Sequence, residues 1–236
     1  MIPVQTIDEF VKRFREAGGE NVESIILFGS AVSGNFHQGL SNLNLFCVLR
    51  STSFEALCAL TSAAKWWDKQ KQPPPLCMTR QELERTVDVF TIELLDMQQH
   101  HRVLYGEDVV KDLRIPMDLH RVQVEYELRE KLVLLRQHIL LAAENESRLL
   151  DLLQHSVSSF STLFRHALIA LGNAPPPGKR EAVQALAQRL GFDASVILGI
   201  LDAREKKSES QKLDARNLAS QYLAAVEKVA VAVDAA

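Results

Sequence analysis

The sequence predicts an α+β protein, with a small mixed sheet in its N-terminal half and an all-α helical bundle in its C-terminal half. In the first half, short apolar runs typical of buried strands alternate with segments of helical spacing. After Pro116 the strand-like runs disappear, and apolar residues recur only at helical spacing. These two patterns predict two domains, residues 1–114 and residues 115–236.

Glycine and proline residues divide the N-terminal half into helices and strands. Ile7, Phe10, Val11 and Phe14 share one face of a helix that Gly18 ends. Helices that lie between strands favour a core of sheet and helix layers. In chain order, the patterns predict a helix over 5–17, strands over 24–28 and 43–49, a helix over 53–70, a strand over 76–78, a helical turn over 79–85 and a strand over 87–95.

The C-terminal half carries apolar residues at helical spacing on several segments. Leu128, Leu132, Leu135 and Ile139 repeat at intervals of four and three residues. Antiparallel helices with short links form a bundle, and apolar positions along 218–233 leave room for a homodimer through it. Further helices are predicted over 149–167, 179–190, 194–203 and 213–234.

The overall composition excludes several classes of protein. The 236 residues carry a formal net charge of -3, which gives no support to general nucleic-acid binding. No apolar run reaches the roughly 20 residues that span a bilayer, and the first residues lack the pattern of a secretion signal. Cys47, Cys58 and Cys77 have neither disulfide nor zinc-site spacing. We therefore expect a cytoplasmic protein with no membrane partner.

A strand that ends in Gly29 and Ser30 is the first feature with chemical meaning. The segment SIILFGS precedes Gly34, which gives the pattern GSxxxG, and Ser41 precedes the second predicted strand in SNLNLFCVL. Glycine lets the backbone approach a ligand closely, and amides at a helix N-terminus attract phosphate. Because a short helix is expected to begin after Gly29, these residues predict a phosphate-binding turn.

Together these residues resemble the core of the nucleotidyltransferase superfamily, the polymerase-β-like fold. Its pattern is an apolar strand, Gly-Ser, a glycine-containing turn, and then Ser-Asp-hydrophobic-Asp on the next strand. The resemblance covers residues 20–105, and the helical half is similar in kind to the bundles of the antibiotic-modifying branch. It implies a nucleoside triphosphate as partner, attack on its α-phosphate, and two divalent ions, usually Mg²⁺, held by acids.

The two positions where the family carries metal-binding acids are Asn42 and Asn44 in this sequence. Residues two apart in a strand point to the same face, so paired aspartates at this spacing reach the same ions. Asparagine keeps the shape of aspartate but not its charge, and Mg²⁺ is normally held by carboxylates together with phosphates. We therefore expect a pseudoenzyme, a nucleotide-binding or interaction and regulatory module in which two-metal transfer is lost or very weak. No metal ligand and no cofactor are assigned to it.

An alternative stays open, in which the protein is an active, Mg²⁺-dependent nucleotidyltransferase that modifies a small molecule or a protein with a relocated ligand set. The resemblance implies a third carboxylate on a neighbouring strand, with Glu93 as the candidate and Asp88 as its competitor. The two lie five residues apart, so a strand points them to opposite faces. The resemblance to the antibiotic-modifying branch also implies a general base on the helical domain, for which Glu127 is the candidate, although charges at i,i+4 spacing favour a solvent-facing role.

Two further pairs of residues are weighed as ligands. His100 and His101 are adjacent, which is not a metal-binding spacing on a helix, so a helix-end or surface position is favoured. Arg165 and His166 interrupt an apolar helical face, where they either bind an anion or form interhelical hydrogen bonds.

Overall fold

The structure is a computed structural model that describes residues 3–33, 36, 41–174, 176, 178–205 and 214–236. The chain divides into two compact units between Pro116 and Met117. Gly34 and most of the loop that precedes Ser41 lie outside the described residues.

The N-terminal unit contains one four-stranded sheet in the order β3-β2-β1-β4. Strand β1 pairs antiparallel with β2 and with β4, whereas β2 pairs parallel with β3. The sheet is therefore small and mixed, as the sequence predicts. The elements in chain order are α1 (Val4–Gly18), β1 (Val22–Phe28), β2 (Asn44–Leu49), α2 (Phe54–Ala59), α3 (Thr61–Lys69), β3 (Leu76–Thr79), α4 (Arg80–Arg85), α5 (Thr91–Gln99) and β4 (His101–Gly106).

Both faces of this sheet are buried, because alternate residues of a strand point to opposite faces. Ile25 belongs to a cluster on one face together with Trp67 of α3. Ile26 and Phe46 belong to a second cluster, which includes Leu94 of α5. Helices contribute to both clusters, so the two central strands are covered on both faces.

The strand predicted over 87–95 is wrong. Residues 87–89 lie in a turn, and Thr91–Gln99 form helix α5. The β-branched residues of this segment are typical of a strand, but Leu94 and Met97 lie one helical turn apart and both pack into the cluster around Ile26. The strand beside β1 is β4 instead, which the sequence patterns do not predict.

The second unit contains the helices that the sequence predicts. Helix α7 is central, since it packs against each of the other four. None of the described helices combines the length and the apolar character that a bilayer crossing requires. The helices are α6 (His120–Ala142), α7 (Glu146–Ala170), α8 (Lys179–Leu190), α9 (Ala194–Arg204) and α10 (Ala215–Asp234).

Most of the apolar positions along 218–233 pack inside the bundle. Tyr222, Val226 and Val229 are buried inside the bundle. The Tyr222 hydroxyl lies 3.1 Å from Ser156 Oγ, and its ring packs edge-on against Phe160 of α7. These residues therefore hold α10 within its own chain, whereas Val231 of the same segment is exposed, and a homodimer through the bundle stays a prediction.

Candidate functional site

The candidate site lies at the edge of the sheet where β1 ends and β2 begins. Phe28, the last residue of β1, pairs with Asn44, the first residue of β2. Gly29 follows with a φ of 79°, a conformation that glycine adopts readily and other residues rarely. A Cβ atom at Gly29 would lie 3.2 Å from Asn44 Nδ2. The glycine therefore leaves room for the Asn44 side chain.

The turn after β1 is shorter than the helix that the sequence predicts. Gly29–Ala31 form a single 3₁₀ turn, in which the Val32 and Ser33 amides donate to the Gly29 carbonyl. Ser30 is half-buried beside it. A single turn has only a small aligned dipole, so any affinity for phosphate here rests on individual amides and the Ser30 hydroxyl.

Asn42 and Asn44 flank a residue that points into the core. Leu43 is fully buried, and its amide donates to Gln72 Oε1 at 2.8 Å. Asn42 is exposed, and Asn44 is half-buried. Asn44 is the first residue of β2, whereas Asn42 precedes the strand, so the strand alternation expected for a pair of ligands applies to Asn44 alone.

The strands at this edge and the loop before β2 contain no acidic residue after Glu23. The sequence contains no Asp or Glu between Glu23 and Glu55, a stretch that includes β2 and the whole loop before it. Strands β3 and β4 contain no acid either. Within the described ranges, no group of three or more His, Cys, Asp and Glu residues could hold a metal ion. Besides amides, hydroxyls and backbone N–H groups, this edge carries His101, which pairs with Phe28 and holds the carboxylate of Asp108.

The structure places neither candidate for the third carboxylate on a strand. Glu93 is exposed in the first turn of α5, and Asp88 is exposed in the turn that precedes it. Either residue was assigned to the site because a strand was expected over 87–95. The strands that flank β1 and β2 are instead β4 and β3, and neither contains an acid. The prediction of a strand position for both acids is therefore wrong.

The two adjacent histidines join β4 to the site and to the following loop. His100 ends α5, and its carbonyl accepts a hydrogen bond from the Gly29 amide at 3.2 Å. His101 Nε2 lies 2.9 Å from both carboxylate oxygens of Asp108, and its Nδ1 lies 2.8 Å from the Met97 carbonyl. Burial opposes ionisation of Asp108, but hydrogen bonds from His101 and nearby amides hold its pKa below the usual value. Both histidines have structural contacts, as favoured from the sequence.

The helical unit contains a group of cations that we call the cationic cluster, formed by Arg165, Lys179 and Arg204. Arg165 is buried on α7, where burial lowers its pKa. Lys179, the first residue of α8, donates to Ser158 Oγ at 2.9 Å and to the Ser158 carbonyl at 3.1 Å. Arg204, the last residue of α9, donates to the Gln154 carbonyl at 2.6 Å.

Burial and repulsion within the cationic cluster both lower the pKa of Lys179. Burial, with repulsion by Arg204 and Arg165, lowers the pKa of Lys179 to about 8. The nearby acids Asp202 and Glu205 both pair with Arg180, at 2.8 and 2.9 Å, and Glu205 also attracts Arg204. An anion bound beside the cluster would reduce this repulsion. The sequence indicates Arg165 alone, because Lys179 and Arg204 come close to it only in the folded chain.

His166 forms an interhelical hydrogen bond, which is one of the roles that the sequence predicts for this residue. His166 Nδ1 lies 3.0 Å from His120 Nε2, and both side chains are buried. Burial and repulsion by His166 lower the pKa of His120 to about 4. His120 is therefore neutral near pH 7, and its hydrogen bond with His166 joins the start of α6 to α7.

Glu127, the candidate base, is half-buried on α6 and pairs with Lys131 at 3.0 Å. Its neighbour Glu125 forms similar pairs with Arg121 and Arg129. These are the i,i+4 ion pairs expected on a solvent-facing side of a helix.

An open pocket of about 600 Å³ lies between α6 and α7. This volume is in the range of small-molecule sites. Apolar and polar groups both line it, among them Leu135, His138, Arg148, Asp151 and Phe160.

Comparisons with known proteins agree with this arrangement. A family model described as a nucleotidyltransferase domain matches residues 7–134, more than half of the chain. Among solved structures, the chain is similar to the spectinomycin adenyltransferase AAD(9) from Enterococcus faecialis, solved with ATP and spectinomycin. The TM-score is 0.58 at 16% identity, covering 96% of this chain and 98% of that one, so the likeness concerns the fold. No curated protein matches the sequence.

Proposed function

Because the chain belongs to the nucleotidyltransferase domain family, we propose that it binds a nucleoside triphosphate but has lost, or nearly lost, two-metal nucleotidyl transfer. In this proposal it acts as a nucleotide-binding or regulatory module. Residues 1–114 form the nucleotidyltransferase-like domain, and residues 115–236 form the helical domain.

The observation that carries the proposal is the pair Asn42 and Asn44, in a stretch of sequence without acids between Glu23 and Glu55. Mg²⁺ gives up its water reluctantly and is usually bound through carboxylates and substrate phosphates. Neutral amide oxygens attract a divalent cation far less strongly. Since metal catalysis supplies several kcal/mol and each about 1.4 kcal/mol is tenfold in rate, the loss of both anionic ligands costs orders of magnitude.

Two features support retained nucleotide binding, one in each unit. Gly29, with Ser30 beside it, keeps the turn through which a phosphate can approach the backbone. In the helical unit, the cationic cluster lies where α8 begins, and a helix N-terminus favours anions. A triphosphate has the charge that the cluster needs to lower the repulsion on Lys179.

The direct test is an assay of transfer from labelled ATP, CTP, GTP and UTP with Mg²⁺ or Mn²⁺, next to a thermal-shift series with the same nucleotides. We expect no transfer above background, together with a rise in melting temperature for at least one triphosphate. ATP is the first choice, because the similar adenyltransferase was solved with it. Robust, metal-dependent turnover that disappears in Asn42→Ala or Asn44→Ala would contradict the loss of catalysis.

A variant that restores both acids tests the physical reason. In Asn42→Asp with Asn44→Asp, metal should increase the affinity for the triphosphate, whereas metal should change wild-type binding little. The matched control is Asn145→Asp, an exposed asparagine that caps α7 in the helical unit.

The competing function is an active enzyme with relocated ligands, and it has its own test. If Glu93 or Asp88 holds the ion, Glu93→Gln or Asp88→Asn should abolish metal-dependent binding of nucleotide in calorimetry. Their exposed positions outside the sheet favour no effect.

A further inference from the structure

The outward side of α6 carries large apolar side chains where a helix of a monomeric protein carries polar ones. The exposed fractions lie between 49% and 82% for Leu119, the residue just before α6, and for Val122, Tyr126, Val133 and Leu140 of α6. We call these five residues the α6 stripe.

The α6 stripe is separate from the side of α6 that packs inside the bundle. Val124, Leu128 and Leu135 face the core and are fully or almost fully buried. A helix that is apolar on two opposite sides is typically covered on both. Exposed apolar patches of this kind mark interaction sites more often than bare surface.

The spacing of the stripe is that of a helix-pairing seam. Leu119, Tyr126, Val133 and Leu140 follow one another at intervals of seven residues. A repeat of seven places apolar residues on a line along a helix, which is the pattern by which two helices pair along their length.

The charges in the middle of the stripe favour an identical helix as the partner. If two copies of α6 cross antiparallel about a two-fold axis between residues 129 and 130, Leu119 faces Leu140 and Tyr126 faces Val133 of the other copy. The same axis places Arg129 opposite Glu130 of the other copy, twice. A two-fold interface requires such self-complementarity.

Both charged residues are available for this contact. Glu130 is exposed on α6. Arg129 uses Nε for Glu125 at 2.8 Å and Nη2 for Asp234 at 2.7 Å. A guanidinium has five N–H donors, so Arg129 retains donors for a further carboxylate.

We propose that the α6 stripe is the docking surface for a second copy of this chain, with the two α6 helices antiparallel about an axis between Arg129 and Glu130. A single helix pair buries less area than most permanent dimers. We therefore expect a dimer with a dissociation constant on the order of 10 µM.

Sedimentation velocity of the full chain between roughly 1 and 200 µM tests the proposal. The wild type should pass from monomer to dimer over this range. Tyr126→Glu should stay monomeric, and Val231→Glu, at an exposed valine of α10, should dimerise like the wild type. Circular dichroism checks that each variant is folded. A wild type that remains monomeric throughout overturns the proposal, and so does equal loss of dimer in both variants.

A mixing experiment tests the two-fold register itself. Arg129→Glu alone places two carboxylates against each other across the axis, and Glu130→Arg alone places two guanidinium groups together. Each variant should dimerise at least roughly tenfold more weakly than the wild type. An equimolar mixture should recover the dimer, because both contacts are then between opposite charges. If the mixture is no more dimeric than the separate variants, the antiparallel register is wrong and the proposal falls.

Discussion

The two units of the protein bury different kinds of polar side chain. Among the described residues, the fully buried polar side chains of the N-terminal unit are those of Ser24 and Thr91. The helical unit buries Ser161 and, in addition, His120, Arg165 and His166, which can carry charge. Asn42 and Asn44 at the sheet edge are likewise neutral, whereas the cationic cluster is not.

This difference indicates how each unit can interact with a ligand. At Asn42 and Asn44 the sheet edge offers neutral amides in place of the carboxylates that would hold a divalent cation. In the helical unit, repulsion between buried or half-buried cations lowers the pKa of Lys179, and a bound anion would oppose that shift. The two units therefore differ in how strongly their polar groups respond to charge, and four predictions test this difference.

The largest expected effect is the pH dependence of the His120–His166 pair. The pKa of His120 is about 4 in the folded protein, against an ordinary value of 6.5. The unfolded chain therefore binds the proton more readily, and stability is lost as pH falls from about 6.5 toward 4. Up to roughly 3 kcal/mol of unfolding free energy is expected to disappear in this window.

Urea unfolding at several pH values measures this loss. His120→Gln keeps a hydrogen-bonding group beside His166 but does not titrate, so its stability should fall less steeply with pH. His138→Gln is the control, because His138 is exposed on the same helix. Equal slopes in the wild type and in His120→Gln would contradict the assignment.

The next effect concerns the glycine at the sheet edge. Gly29→Ala should lower the unfolding free energy by about 1–2 kcal/mol from its positive φ alone. The contact of the new Cβ with Asn44 should add to this cost. Gly191→Ala in the helical unit is the matched control, since Gly191 has a φ of 70° and no atom within 4 Å of such a Cβ.

Chemical denaturation of both variants separates the two contributions. Adding Asn44→Ala to Gly29→Ala should recover the part due to the contact and leave the part due to φ. If Gly29→Ala costs no more than Gly191→Ala, the Asn44 side chain does not depend on this glycine.

The pKa of Lys179, about 8 against an ordinary value of 10.5, is shifted as far as that of His120, but Lys179 is only half-buried and solvent screens its charge, so a smaller effect is expected. The unfolded chain holds this proton more tightly, so the contribution of Lys179 to stability rises as pH increases from about 8 to 10. A bound triphosphate should raise the pKa and flatten the slope. Melting temperatures at about pH 7 to 10, with and without ATP, check this.

Lys179→Met should remove most of the stabilisation by ATP, and Lys228→Met should not. Lys228 also donates to a carbonyl, that of Gly191, but lies outside the cationic cluster. Equal ATP stabilisation of the two variants would show that the cluster does not bind the nucleotide.

The smallest effect is expected for Glu127→Gln. Exposed or half-exposed i,i+4 ion pairs contribute about 0.3–0.5 kcal/mol, so the loss of the pair with Lys131 should change stability by no more than this. Glu125→Gln is the comparison on the same helix. A much larger effect of Glu127→Gln on nucleotide-dependent behaviour would support a role as base.

The local sequence patterns predicted most of the helices and strands, because these depend on residues close together in the chain. The alternation in β1 and β2 and the helical spacing along α6 to α10 are of this kind. Segment 87–95 shows where local patterns fail. Its β-branched residues fit a strand, but the place beside β1 belongs to residues 101–106, and Leu94 packs as part of a helix.

For the same reason, the sequence groups the residues of the candidate site that are close in the chain but does not place those that are distant. Gly29, Ser30, Asn42 and Asn44 lie within one strand–turn–strand segment, so their grouping follows from the spacing. The third carboxylate depended on a neighbouring strand and was assigned to the wrong element. Glu127 was weighed correctly as a member of i,i+4 pairs because these are local.

By itself, the sequence determined the family resemblance and the absence of acids between Glu23 and Glu55, since both depend only on which residues are present and how they are spaced. Only the tertiary structure decided that Gly29 makes room for Asn44, and that Lys179 and Arg204 join Arg165. Those contacts link residues far apart in the chain. They form because packing of the core brings α7, α8 and α9 together, and local spacing carries no information about that choice.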